Sequence, residues 1–191
     1  MNDYQILCEL IRQQFASVVW THKIQEKQAD IYADRFSTLE TANIIVAALT
    51  SCGLIGIIIQ NNDSICLKIF TAVSSFITLA IPAYYKSFEP STKSKENKNA
   101  ANRLIGIRNE LLSLIADCHI QKKSVEEIKI SFDEINLRLN QLYLQLPTTS
   151  EKAVKKASEA LKNNEYSYTT EEIDSFLTSS LKGQVKKDSD V

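Results

Sequence analysis

The stretch from Leu39 to Asp63, "LETANIIVAALTSCGLIGIIIQNND", carries charge only at Glu40 and Asp63. From Thr41 to Gln60 the chain has no acidic or basic side chain. About twenty residues in an α-helix rise about 30 Å, the thickness of a bilayer's hydrocarbon core. The stretch therefore reads as a transmembrane helix, with one soluble alternative: the centre of a helical domain large enough to bury it on every side.

A second segment of the same kind follows. "SICLKIFTAVSSFITLAIPAYY", Ser64 to Tyr85, is broken only by Lys68 near its start and is closed by Lys86. Lys68 can snorkel from a helix end to the headgroups, and Tyr84 and Tyr85 suit the opposite interface. The polar "QNND" between the segments is short enough to turn a hairpin. The remaining helices offer one apolar stripe each, too little to enclose two such segments, so the bilayer is the favoured surrounding.

The whole chain reads as an all-α membrane protein: a two-transmembrane helical hairpin with a cytoplasmic helical bundle formed by N- and C-terminal helices. Glycine and proline are scarce, at 4 and 3 in 191 residues, and apolar residues recur every three or four positions. The expected divisions are an N-terminal amphipathic helix at 1–38, spans at 39–60 and 65–86 with a loop at 61–64, and a polar linker at 87–99. C-terminal helices at 100–182 and a disordered tail at 183–191 complete the chain. The N-terminus begins acidic and alternates polar with apolar, unlike a cleavable signal, so both spans are expected to persist. Basic residues flank the pair, with Arg12, Lys23, Lys27 and Arg35 before it and Lys86, Lys93, Lys95 and Lys98 after it. By the positive-inside rule both termini of this multi-pass protein are cytoplasmic.

Within the first span Ala48, Cys52 and Gly56 form a small-residue stripe at i, i+4, i+8, a surface for close helix packing. In the second, Thr71, Ser74, Ser75 and Thr78 share a face, and Pro82 removes the hydrogen bond that the Thr78 carbonyl would accept. That face has two readings: the lining of a water-filled path between assembled copies, or hydroxyls that bond back to their own helix and pack between helices.

Outside the spans, Tyr4, Leu7, Ile11, Phe15, Val18 and Val19 mark one side of a helix. Ala101, Leu104, Arg108, Leu111, Ile115 and Cys118 mark a second. Ser124 and Glu127 form a capping-box start, followed by Ile128, Phe132, Ile135, Leu139, Leu142 and Leu146. The latter two helices could form a hairpin around "HIQKK", with the N-terminal helix as third member. "TTSEKAVKKASEALKNN" reads as a short surface-like helix, and Thr169 with Glu172 opens a last one.

Net charge is −1, which gives no electrostatic signature of nucleic-acid binding, and none is expected. Cys8, Cys52, Cys66 and Cys118 stand at no metal or redox-motif spacing. The densest polar motif is "VVWTHKIQEKQADIY", in which His22, Glu26 and Asp30 fall on one helix face beside Lys23 and Lys27. A metal site can be drawn from His22 and Glu26, but a zincin motif needs two histidines, and the other histidine, His119, has no supporting cluster. No nucleophile–base pair and no phosphate loop occurs, so no catalysis, cofactor or metal is expected. The motif, with Trp20 at its head, is instead a candidate for coupling and interaction through ion pairs and hydrogen bonds.

The block Trp20, Thr21, His22, Lys23, Gln25, Glu26, Lys27, Ala29 and Asp30, leading into a two-span hairpin and a helical extension, resembles the SLATT family of bacterial two-transmembrane effector domains. The resemblance runs from about Leu7 to about Leu181. It implies an antiphage, abortive-infection effector that assembles as a homo-oligomer in the lipid bilayer and permeabilises it when a partner senses infection. It also implies a separate sensor, such as a nucleotide-signal enzyme or a reverse transcriptase with its nucleic acid, because this chain carries neither signature. A membrane anchor or scaffold presenting a helical module to a partner is the alternative.

Overall fold

The computed structural model describes residues 3–60, 64–121, 123–163 and 169–176. Among these, every element is an α-helix: α1 Asp3–Gln60, α2 Ile65–Phe88, α3 Pro90–Ile120, α4 Val125–Tyr143, α5 Glu151–Lys162 and α6 Thr170–Phe176. The expected tail at 183–191 and most of the loop at 61–64 lie outside the described residues.

α1 is one unbroken helix of 58 residues. At 1.5 Å per residue it is about 87 Å long, enough to carry the bundle at one end and a full span at the other. α2 returns along the span half, and α3 then runs along the bundle half, so that bundle and chain start lie at the same end of the hairpin.

The turn between α2 and α3 replaces the expected polar linker at 87–99. Glu89 alone breaks the helix, in the left-handed region at φ 45°, while its N–H donates to the Tyr85 carbonyl at 2.8 Å. Pro90 occupies the first turn of α3, where its missing N–H costs nothing, and "PSTKSKENKN" continues as helix. The segment is polar because most of it faces water. Its inward positions, Asn97 and then Ala100 and Ala101, are small or polar and give no hydropathic stripe.

The bundle core joins the three predicted stripes. Leu7, Ile11 and Val18 of α1 meet Leu104, Ile107, Leu111, Leu114 and Cys118 of α3 and Ile128, Phe132, Ile135 and Leu139 of α4. Ser124 and Glu127 form the capping box at the head of α4, with the Ser124 N–H donating to Glu127 Oε2 at 2.8 Å and the Glu127 N–H to Ser124 Oγ at 3.3 Å. A bidentate pair between Arg138 and Glu110 ties α4 to α3. At the far end, the Tyr4 hydroxyl donates to the Cys118 carbonyl at 3.1 Å.

Helix α5 is less superficial than its composition suggests. Ala153, Ala157 and Ala160 are buried, and this alanine face lies on α1. Alanine permits close helix approach but contributes little to a hydropathy pattern. By contrast, Ile173 and Phe176 of α6 are exposed.

The spans remain uncovered. α1 and α2 each contain an apolar window of membrane-crossing length, and only 11% of each window is buried. Ile44, Ile58, Phe76 and Leu79 are among the exposed side chains. A soluble core would enclose such helices, so this apolar surface is a lipid-facing one. Phe36 and Tyr85 close the base of the hairpin with ring centroids 5.4 Å apart, an aromatic contact suited to the interface.

Candidate functional site

The polar block of α1 sits where the bundle gives way to the spans, packed between α3 and α5. Trp20 is more than a third exposed, whereas His22 and Lys23 are each 5% exposed and Gln25, Gln28 and Ala29 are also buried. Several of these buried polar groups bond to other elements, although Gln25 Oε1 is buried without a hydrogen-bond partner among the described residues. Gln25 Nε2 donates to the Pro147 carbonyl at 3.0 Å, and Gln28 Oε1 accepts from both the N–H and the hydroxyl of Ser150, at 2.7 and 2.8 Å. Ser94 Oγ of α3 donates to the Ala29 carbonyl at 2.9 Å.

Ser150 is also the N-cap of α5, its hydroxyl accepting from the Ala153 N–H at 3.3 Å. One glutamine of α1 therefore fixes the head of α5 directly. Gln25, part of the block that carries the family resemblance, and Gln28, outside the residues singled out from sequence, carry this connection. Their signal was their place inside a helix stripe that continues inward from Val18.

Lys23 Nζ bonds Glu26 Oε2 at 3.2 Å, with the lysine side chain almost fully buried. Burial, the largest influence, pushes the His22 imidazole down to about 4; Glu26 opposes this, while Arg108, Lys23 and Lys98 reinforce it. His22 is neutral at physiological pH and surrounded by more positive than negative charge. Lys27 and Asp30 are half-buried and face α5 across a shallow cavity shared with Lys156 and Glu159. The six singled-out residues thus divide: His22 and Lys23 are internal, Glu26, Lys27 and Asp30 are half-buried, and Trp20 is on the surface.

In the hairpin, the hydroxyl face of α2 turns toward α1. Thr71 and Ser74 are buried there, and Ser75 and Thr78 are half-buried. Thr71 Oγ1 donates to the Leu67 carbonyl and Thr78 Oγ1 to the Ser74 carbonyl, each at 2.9 Å. Of the expected stripe, Ala48 and Cys52 are exposed and Gly56 is half-buried beside Leu67 of α2, while the neighbouring Gly53 is buried tightly against Thr71. A Cβ built on Gly53 would stand 2.5 Å from Thr71 Oγ1. The Ala48–Cys52 edge is left open beside it. Pro82 lies inside α2 and is exposed.

This is a two-span helical membrane protein whose spans are continuous with, or one residue removed from, a helical bundle. The chain belongs to the SMODS and SLOG-associating 2TM effector domain family 4, which matches residues 7–172. That range takes in α1 from Leu7, both spans, the bundle and α5, and it places the chain among membrane effectors associated with antiphage defence. It is a family of effector domains, not a known family of enzymes. No curated protein and no solved structure matches the chain.

Proposed function

We propose that the chain is the membrane effector of a bacterial antiphage system, held quiet by its cytoplasmic bundle and assembling in the inner membrane to permeabilise it when a separate sensor is triggered. The observation that carries this reading is the continuity of α1 from the bundle core at Leu7 to the end of the first span. A rigid helix that belongs to both parts transmits a tilt or rotation of the bundle to the hairpin. The basic flanks support cytoplasmic termini, where a sensor product would reach Trp20, Lys27 and Asp30. Ala48 and Cys52, exposed within one chain, would pack a second copy, and the hydroxyls of Thr71, Ser74, Ser75 and Thr78 would line the path.

A second reading has its own support. Thr71 and Ser74 are buried against α1 and Thr71 and Thr78 bond back to their own helix, as expected of a hairpin that serves only as an anchor. Liposomes containing the purified chain separate the two. Release of a trapped dye in proportion to oligomer formation supports the effector reading, whereas intact vesicles at every oligomeric state and with the sensor system added would leave the anchor. In cells, a membrane-potential dye should report collapse only when the sensor is triggered.

A further inference from the structure

A cavity of about 720 Å³ lies where α1, α2 and α5 meet, at the level where the first span begins. Arg35, Thr38 and Asp34 of α1, Tyr84 of α2, and Lys152 and Lys156 of α5 line it. Three cations thus surround one carboxylate. Among the described residues, neither Arg35, Lys152, Lys156 nor Asp34 makes an ion pair. Some cations elsewhere on the bundle are paired, Arg12, Lys123, Lys129 and Arg138 each having a carboxylate within 4 Å, and what sets Arg35, Lys152 and Lys156 apart is their convergence on one cavity.

The cluster is assembled by tertiary structure, since the docking of the α5 alanine face on α1 brings Lys152 and Lys156 to Arg35. Lys152 and Lys156 are four residues apart on one helix, a like-charge spacing that opposes helix formation unless an anion relieves it. Beside them, the Tyr84 ring and the Phe36–Tyr85 pair mark headgroup depth. An arginine fork binds two oxygens of a phosphate at once, lysines neutralise its charge, and a threonine hydroxyl donates to it.

We propose that this cavity binds a phosphate group, supplied by the headgroup of an anionic lipid in the leaflet that faces the bundle. The site would clamp α5 to the base of the hairpin, so that lipid composition sets how firmly bundle and spans are joined. The same chemistry would accept a soluble phosphate ester, and the test distinguishes the sources. This inference rests on the membrane reading, which is checked separately by retention of the chain in membranes after carbonate washing.

The full chain, purified in detergent, is offered phosphatidylglycerol or phosphatidylcholine, and bound lipid is counted by native mass spectrometry; inorganic phosphate and ADP are titrated in parallel. Phosphatidylglycerol should be retained about tenfold more tightly than phosphatidylcholine. That preference should vanish in the combined variant Arg35→Gln, Lys152→Gln, Lys156→Gln and persist in Lys152→Arg with Lys156→Arg, which keeps the charge. Binding of phosphate or ADP that is lost in the same variant, without lipid preference, would keep the phosphate site and assign it a soluble ligand. A membrane-retained chain with no preference for any of these, or with equal binding in the folded glutamine variant, overturns the proposal.

Discussion

Gly53 of α1 and Thr71 of α2 are in contact across the hairpin, with the glycine supplying the space that the threonine hydroxyl occupies. The spans fit tightly here because Gly53 lacks a side chain. Replacing Gly53 with leucine should force the helices apart and cost about 1 to 3 kcal/mol of overpacking. Thermal unfolding in detergent should show the loss, and Gly53→Ala with Thr71→Ala should recover most of it by removing the opposing hydroxyl. Equal melting of Gly53→Leu and the parent chain would mean that the spans do not cross at this point.

The bundle should weaken in mild acid. His22 ordinarily titrates near 6.5, and burial lowers it to about 4 in the folded chain. Between those values the unfolded chain holds a proton that the folded chain lacks, so unfolding gains as pH falls. The contribution is complete above about pH 6.5 and is lost progressively toward pH 4. Glu26 and surrounding solvent moderate the effect, leaving a loss on the order of 1 to 2 kcal/mol. Denaturant midpoints measured at pH 7 and pH 4.5 should differ less in His22→Gln than in the parent. An identical pH dependence in both would remove His22 as the cause.

Gln28 should hold α5 in place. It is 2% exposed and accepts two hydrogen bonds from Ser150. In Gln28→Leu the exposed Ser150 loses its acceptor and bonds water instead, a cost of about 0.5 to 1.5 kcal/mol. Amide exchange in α5 should accelerate by about two- to tenfold, with α4 little changed. Uniform acceleration across the bundle would instead identify Gln28 as a general core residue.

Cys118 should be chemically inert while the bundle is folded. Burial, followed by its hydrogen bond and proximity to Cys8, pushes its thiol up to about 12. The thiolate is the reactive form, so iodoacetamide at pH 8 should leave Cys118 unmodified and label it only after denaturation. Peptide mass spectrometry would show this directly. Labelling as fast as at a free thiol would contradict the packing of α1 on the end of α3.

The parts of the fold legible in the sequence are those in which large apolar residues repeat against polar ones. Leu7, Ile11, Leu104, Leu111, Ile128 and Leu139 could be assigned to three facing stripes because their period and size agree. The helical start of α3 and the buried face of α5 escaped for the opposite reason: Asn97, Ala100, Ala153 and Ala157 are buried yet small or polar, and such residues carry little hydropathic contrast. Gly53 escaped because the small residues of the first span lie on more than one side of the helix. Periodicity finds a small-residue stripe at Ala48, Cys52 and Gly56, but it does not say which edge meets α2. In the polar block, burial of His22 and Lys23 depended on α3 and α5 arriving from distant sequence, which no local pattern encodes.

The decisive prediction for the effector reading concerns whether the spans must part. With Thr71 and Ser74 closed against α1, a path lined by all four hydroxyls requires α1 and α2 to separate during assembly. A Cβ on Gly53 would lie 3.6 Å from the Thr71 Cβ, within the range that a disulfide spans. Gly53→Cys with Thr71→Cys, in a chain with Cys52→Ser and Cys66→Ser, should therefore oxidise to a locked hairpin. If separation opens the path, locked protein should insert into liposomes without releasing dye, and a reductant should restore release to the level of Gly53→Ala with Thr71→Ala. Full release from the locked form would place the path outside the α1–α2 seam. Ser75→Leu with Thr78→Leu then distinguishes what remains: release reduced by half or more keeps the outer hydroxyls in the path, while unchanged release assigns conduction to the Ala48–Cys52 edge between copies.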